Sequence, residues 1–411
     1  MLRWVVFIFI YVVLDYYAYQ AFKTVTKSSW LQVVYWVFSI IVLGNFIYQM
    51  AIQQDHLRVL TPIKSYALGF LIAMVIPKLI LIAFMFTEDI VRVPQAVYSY
   101  FTEGGHQHGF FPNRRRFIST VALGLAAVPF ASLLYGMYRG KYNFKVLKYQ
   151  LHFDDLPEAF DGYTITQISD IHSGSFDNKH KIQYGIDLIN NQNSDIILFT
   201  GDMVNNLASE MLPWKKSFGE LKAKDGVYSV LGNHDYGDYV EWNTVKAKHK
   251  NLEDLKAIQK EIGFDLLLNE SRYLEREGQR IALVGVENWG RGGFKKAGDL
   301  KQASAFIDKD DFKILMSHDP SHWEDKVIDD DYHYHLTLSG HTHGMQFGIE
   351  IPGWFKWSPV KWRYKYWAGI YEKKGQYINV NRGFGYLAYP GRFGIWPEIT
   401  VIELKKREIL V

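Results

Sequence analysis

Cysteine is absent from the 411 residues of this chain. Disulfides are therefore excluded, as are thiolate metal sites, so any metal must be held by nitrogen and oxygen. The missing thiols leave the compartment open, since cytoplasmic and exported proteins can both lack them. A strong charge of one sign is missing too. Lys and Arg number 46 against 43 Asp and Glu, a net charge of +3. That is far from the basic footprint of a nucleic-acid-binding surface, so no nucleic-acid partner is expected. There is also no internal repeat and no low-complexity tract.

What is present is unevenly divided. The apolar fraction of 48% is ordinary for a whole chain, but apolar and aromatic residues crowd into the first 140 residues. Four stretches there, about 2–22, 30–52, 65–87 and 117–138, are each long enough to cross a hydrocarbon core as a helix. Trp and Tyr near their ends fit the interfacial belt. A buried helical domain is the alternative, but four such stretches would leave it little polar surface. The first stretch lacks a small-residue cleavage site and more spans follow, which favours a span over a signal peptide. The expected division is a transmembrane region over 1–140 and a second domain over 141–411. Asp15 and Lys78 fall inside spans. Intramembrane charges are functional candidates by default, yet Asp15 lies near one end and Lys78 can snorkel or pair between helices.

Orientation is a contest of cations. Arg114, Arg115 and Arg116 abut the fourth span and favour a cytoplasmic start for it, which sends the second domain outward. Arg115-Arg116-Phe117-Ile118 also looks like a twin-arginine export signal displaced to an internal position. Arg58, Lys64, Arg139, Lys141, Lys145 and Lys148 weigh the other way. The balance favours a multi-pass protein of the inner or plasma membrane with its second domain extracytoplasmic.

From about Lys141 strand-like runs alternate with helical ones. Val-, Ile- and Leu-rich strands are expected at 146–153, 164–170, 195–202, 226–235, 280–288, 313–319, 334–343, 376–383 and 397–404. Helices are expected near 179–192, 209–222, 251–262 and 300–308. This pattern predicts an α/β domain with its sheet covered on both faces. Five polar clusters stand at the C-terminal ends of predicted strands: Asp170-Ile171-His172, Gly201-Asp202, Gly232-Asn233-His234-Asp235, His318, and Gly340-His341-Thr342-His343-Gly344. Strand ends of open α/β sheets are where ligands bind.

Phosphoester hydrolysis asks for such residues. It needs an oxygen nucleophile at neutral pH and cations to neutralise the phosphoryl oxygens, and two divalent ions supply both. A bridging carboxylate must screen their repulsion, and imidazole, carboxamide and carboxylate ligands must hold them. A mixed nitrogen and oxygen set suits Mn, Fe or Zn more than Ca or Mg. If the Asp-x-His and His-x-His pairs are extended, both members of each point to one side. The glycines before Asp202, Asn233 and His341 would let the backbone turn sharply. His152, His180, His322, His333 and His335 belong to no cluster and read as ordinary hydrogen-bonded residues. Asp319 reads as structural.

The ordered series resembles the calcineurin-like metallophosphoesterase superfamily over about residues 145–405. It is most similar to the bacterial membrane-associated or exported branch, where an Asn-Arg-Gly-like segment and a Pro-Glu-Ile ending follow the last motif. Here these are Asn381-Arg382-Gly383 and Pro397-Glu398-Ile399. The resemblance implies a four-layer α-β-β-α sandwich. It implies that Asp170, His172 and His343 hold one divalent metal and Asn233, His318 and His341 another, with Asp202 bridging. A metal-bridging hydroxide would be the nucleophile, and His234 would protonate the leaving oxygen or stabilise its charge. Manganese is the first expectation for both ions, with iron or zinc as alternatives. Many relatives carry Asp three residues after the bridging Asp to orient the catalytic His. Here Asn205 stands there, so Asp235 is a candidate substitute. Met345 stands where Gly is common, and with Gln346 it could shape the substrate entrance.

One stretch remains. Gly353-Trp354-Phe355-Lys356-Trp357 and Trp362-Arg363-Tyr364-Lys365-Tyr366-Trp367 directly follow the last motif. Interleaved aromatics and cations suit a membrane interface. A loop that packs its rings into the fold is the plainer reading, and stacking on single strands a third. The spans and this segment together suggest a phosphoester substrate that is lipid-linked, with membrane lipids as partners. A membrane receptor or scaffold with a degenerate site is the rival class. A transporter with an accessory domain would rest only on Asp15 and Lys78. Nothing in the sequence sets the oligomeric state.

Overall fold

The computed structural model describes residues 2–52, 59–102, 112–351 and 353–407; Arg58 lies outside them. The chain divides into two compact units, Met1–Gln54 with Ile63–Met137, and Asp55–Pro62 with Tyr138–Val411.

The first unit is helical: α1 (Leu2–Val25), α2 (Ser29–Ile47), α3 (Pro62–Thr102) and α4 (Pro112–Tyr138). Each is long and apolar enough to cross a membrane. A π turn over Tyr48–Ile52 extends α2. α3 departs from expectation: it does not stop near 87 but runs for 41 residues. Its apolar part gives way to Glu88 and Asp89, whose charges are met from α4. Arg115 Nη1 lies 2.6 Å from Glu88 Oε2 and 2.7 Å from Asp89 Oδ1. The other intramembrane pair is also matched. Lys78 Nζ sits 2.8 Å from Asp15 Oδ1 and donates to the Tyr11 and Ser39 hydroxyls at 3.1 and 3.0 Å. Tyr35 donates to the same carboxylate at 2.5 Å, and Ser39 donates to it as well. Each charge thus has a partner on another helix, as a low-dielectric interior demands.

The second unit holds two six-stranded sheets. The first runs in the order β1 (Lys145–Phe153), β14 (Glu398–Lys406), β2 (Thr164–Ile168), β3 (Ile196–Phe199), β4 (Val227–Ser229) and β5 (Phe264–Leu266). The second runs β12 (Gly369–Lys373), β13 (Gln376–Val380), β9 (Leu336–Ser339), β8 (Lys313–Met316), β7 (Gln279–Gly285) and β6 (Glu270–Arg276). β2 through β5 pair in parallel, as do β7, β8 and β9. β3, β8 and β9 are buried at every position, which explains their continuous apolar runs. Ile165, Leu198 and Ile402 of the first sheet pack with Leu283, Ile314 and Leu338 of the second in one core, so the sheets stack face to face. The outer face of the first is covered by α5 (Lys179–Asn190), α6 (Lys215–Phe218) and α7 (Val245–Glu261), with Ile186, Phe218 and Leu255 in a second core. The outer face of the second sheet packs α8 (Leu300–Ala303) and α9 (Ser321–Asp325) in a third core through Leu300 and Trp323. This is the four-layer α-β-β-α sandwich. The helix expected at 209–222 is instead a 3-10 turn over Ala208–Trp214 leading into α6, with Pro213 inside the turn. β5, β6 and β12 escape sequence reading because they are short or carry polar, half-exposed side chains.

Candidate functional site

Every strand that precedes a polar cluster ends earlier than the sequence suggests. Asp170, Asp202, Asn233, His318 and His341 therefore stand in the loops just beyond β2, β3, β4, β8 and β9. The Asp-x-His and His-x-His pairs are not extended, which corrects the alternation argument. Asp170 (φ 52°), His172 (φ 48°), Asp202 (φ 61°), His341 (φ 71°) and His343 (φ 48°) are all left-handed. These tight turns aim the side chains inward. Of the preceding glycines only Gly201 needs its freedom, at φ 97°. Gly232 and Gly340 are required by close approach. A Cβ on Gly232 would lie 2.2 Å from Asp202 Oδ1, and one on Gly340 would lie 2.2 Å from Asp170 Oδ2.

The turns bring together two groups whose donor atoms lie within 4.8 Å of one another: Asp170 with His172 and His343, and Asp202 with His318 and His341. In the first, His172 Nε2 is 2.9 Å from His343 Nε2, which is 3.1 Å from Asp170 Oδ1. In the second, His318 Nε2 is 3.1 Å from Asp202 Oδ2. Asn233 joins through its Oδ1, 2.8 Å from His341 Nδ1. The Asp202 carboxylate stands between the groups, because the same Oδ2 is 3.7 Å from His172 Nε2.

The charge state suits cation binding. Burial alone would raise Asp170 and Asp202, but the histidines around them hold both below the usual carboxylate range. Burial lowers His172 and His341, leaving neutral rings with lone pairs to offer. Burial would lower His318 as well, but Asp202 and Asp170 outweigh it and hold the ring up at about 10. A proton there supplies the positive charge the carboxylates require, and a metal cation would supply it in the proton's place. His318 Nε2 is buried beside Asp202 without an aligned hydrogen bond, and in a native site such an atom calls for a partner. A donor set of nitrogen and oxygen alone, with buried imidazoles and carboxylates converging within 4.8 Å, fits divalent metals.

His234 is oriented by neither expected side chain. Its Nδ1 lies 2.8 Å from the backbone carbonyl of Asn205, while the Asn205 amide donates to Ser175 Oγ at 3.1 Å. Asp235 turns away and accepts from the backbone N–H groups of Asp202, Met203 and Gly232 at 3.0, 2.8 and 2.9 Å. It thus pins the loop that carries Asp202. Met345 is exposed, but Gln346 is buried and donates to the carbonyls of Tyr389 and Gly391. Asp319 is fully buried, with Oδ2 3.4 Å from His341 Nε2. Of the unclustered histidines, His335 pairs with Asp155 at 2.7 Å and His322 with Ser317 Oγ at 2.8 Å.

Three contacts escaped the sequence. Tyr364 OH lies 2.7 Å from His341 Nε2, Tyr239 accepts from Asn233 Nδ2 at 2.7 Å, and Arg392 Nη2 lies 3.0 Å from His343 Nδ1. Tyr364 sits in the flagged aromatic stretch, which was the available signal. Tyr239 and Arg392 come from irregular loops without pattern.

Residues 2–141 match the family model described as "Probable Calcineurin-like phosphoesterase, transmembrane domain", and residues 163–345 match "Calcineurin-like phosphoesterase". Similar proteins include the uncharacterized metallophosphoesterase YkuE of Bacillus subtilis, 28% identical over 71% of this chain and 98% of the relative. An uncharacterized metallophosphoesterase of Helicobacter pylori is 24% identical over 98% of each chain. A "Transmembrane protein with metallophosphoesterase domain" of Danio rerio is 26% identical over 66% of this chain and 60% of the relative. The two matched regions account for the membrane helices and for most of the domain that carries the cluster, and the chain belongs to the membrane-associated calcineurin-like metallophosphoesterases.

Proposed function

We propose that this protein hydrolyses phosphomonoester, phosphodiester or pyrophosphate bonds at a centre for two divalent cations. Asp170, His172 and His343 would hold one, Asn233, His318 and His341 the other, with Asp202 shared. The observation that carries this reading is the single Asp202 oxygen facing both His172 and His318. The cations, manganese as first candidate with iron or zinc as alternatives, would activate water and neutralise the phosphoryl oxygens. The chain's own residues do the rest. The Asn205 carbonyl fixes the His234 tautomer, with Nδ1–H donating and Nε2 left for the substrate. Burial lowers the His234 pKa; an anionic phosphoester beside the ring favours its protonated form, which can donate to the leaving oxygen. Tyr364 meets His341 Nε2 and holds the ring in place, with the Asp319 carboxylate beside it.

Two finer assignments belong to this reading. The substrate is lipid-linked, which the four spans and the contact of the aromatic segment with His341 support. The catalytic unit is extracytoplasmic, supported by Arg114–Arg116 at the start of α4; the carboxylates that pair with them weigh little in the positive-inside bias. An impermeant thiol reagent on intact cells tests this at one cysteine introduced as Tyr184→Cys, an exposed site of the cysteine-free chain. Protection from the reagent would place the unit in the cytoplasm.

The decisive experiment is hydrolysis of a chromogenic phosphodiester and phosphomonoester by the full chain with Mn²⁺, beside Asp202→Ala. Activity should fall by several orders of magnitude in the variant, and metal analysis should find two ions in the parent. A folded protein that binds no metal would instead be a scaffold with a degenerate site. Turnover of soluble analogues in clear preference to bilayer-borne substrates would remove the lipid-linked assignment alone.

A further inference from the structure

Between the last ligand candidate and β12 lies a segment of which the site engages Tyr364 and which is otherwise without a role in hydrolysis. β10 (Ile349–Ile351) and β11 (Phe355–Trp357) form a two-stranded ribbon outside both large sheets. A lone ribbon has little core of its own, and this one turns apolar side chains outward. Trp354 is 81% exposed and Trp362, just beyond, 75%; Ile349, Ile351 and Phe355 are exposed as well. Large exposed rings grouped in this way mark an interaction surface.

Charge selects the partner. Residues 353–368 contain Lys356, Lys361, Arg363 and Lys365 and no carboxylate. Glu350, the acid of the ribbon, is neutralised by Arg382, whose Nε and Nη2 lie 3.0 and 2.5 Å from its oxygens. Tryptophan beside lysine and arginine is the composition of a lipid–water boundary, with rings at headgroup depth and cations against anionic phosphates. The tether argues the same way. α4 ends at Tyr138, and a Cβ on Gly140 would lie 3.0 Å from the Trp396 ring. Trp396 in turn lines a pocket of about 510 Å³ together with Lys145, Lys148 and Gly353 of the ribbon's turn. The attachment point of the tether and the ribbon therefore share one side of the catalytic unit.

We propose that the β10–β11 ribbon and residues 353–368 form a docking surface for an anionic phospholipid bilayer. The surface is joined to the metal-site loop. Ser358 Oγ donates to the Gly344 carbonyl at 2.6 Å, Thr342 Oγ1 to the Trp367 carbonyl at 2.7 Å, and Tyr364 meets His341. Docking would set the active-site mouth at headgroup level. The inference rests on membrane attachment and holds whether or not the substrate is lipid-linked.

The test uses the full chain reconstituted in phosphatidylcholine bilayers with and without phosphatidylglycerol. Because the chain has no cysteine, a fluorophore on Ile351→Cys, or on Lys361→Cys as a second site, reports the surface; Phe306→Cys is the exposed control. Mn²⁺-dependent turnover of a soluble ester verifies folding of each variant. The ribbon labels should be quenched by lipids carrying a nitroxide near the headgroup, more strongly with phosphatidylglycerol, and shielded from aqueous iodide. Trp354→Ala with Trp362→Ala should bring the lipid quenching to the control level without changing soluble-ester turnover. Labels as open to iodide as the control, or shielded from iodide without lipid quenching, would overturn the proposal. The second pattern would assign the ribbon to a protein contact. Lipid quenching indifferent to phosphatidylglycerol would overturn the anionic selectivity.

Discussion

Asp170, His172, Asp202, His341 and His343 share a left-handed backbone that costs a non-glycine residue roughly 1–3 kcal/mol. The folded core tolerates the strain because each turn is pinned from behind. The Asp170 carboxylate receives the His341 N–H at 3.0 Å, and Asp235 holds the loop of Asp202. His234 differs, for its Nδ1 is held by a backbone carbonyl and it belongs to neither candidate metal group. His234→Asn should lower kcat by roughly 10²–10⁴-fold, the range for a lost proton donor, with metal content unchanged, as paired kinetics and metal analysis would read. A second residue sets a pH limit. Burial pushes the His322 pKa down to about 4 from 6.5. Below 6.5 the unfolded state takes up a proton that the folded state refuses, so the stability this neutral ring contributes is complete above pH 6.5. It is lost as pH falls toward 4, by up to about 3 kcal/mol. Thermal unfolding between pH 7.5 and 4 should show a shallower decline in His322→Gln than in the parent.

At the scale of elements, α3 shows how paired charges let a helix continue where hydropathy would end it. Its 41 residues make about 60 Å of helix, roughly twice a hydrocarbon core. Within the membrane, the Asp15–Lys78 pair and its hydroxyl partners fix the register of α1, α2 and α3. Removing one buried partner leaves the other uncompensated. Lys78→Met should therefore destabilise the helical unit by about 3–5 kcal/mol, whereas Asp15→Leu with Lys78→Met should recover most of the loss. Thermal unfolding in detergent micelles would compare the three forms. Equal stability of single and double variants would show that an uncompensated Asp15 is not what destabilises the single one.

At the scale of the molecule, two units with separate cores answer differently to metal. Cations that bind the folded catalytic unit stabilise it by mass action, about 2.7 kcal/mol at a free concentration a hundredfold above Kd. Adding Mn²⁺ should raise the unfolding temperature of the catalytic unit and a chelator should lower it, while the transition of the helical unit stays fixed. Asp202→Ala should remove the response. A response that persists in the variant would place the cations elsewhere.

Local pattern determined much of this. Runs of apolar residues long enough to cross a bilayer are legible without a partner, and so are the Val-, Ile- and Leu-rich strands of a sheet covered on both faces, because each depends on near neighbours in sequence. The polar clusters were legible for the same reason, each being a few residues after an apolar strand. Tertiary structure decided the rest. It made the Asp-x-His and His-x-His turns left-handed, and it brought the Asp202 and Asp170 carboxylates against Gly232 and Gly340, where a Cβ would not fit. It gave His234 the carbonyl of Asn205, since a backbone atom serves whatever side chain it carries. It brought Arg392 from a loop to within 3.0 Å of His343, 49 residues away in sequence. Contacts of that span depend on how two sheets stack, and no window of sequence contains them.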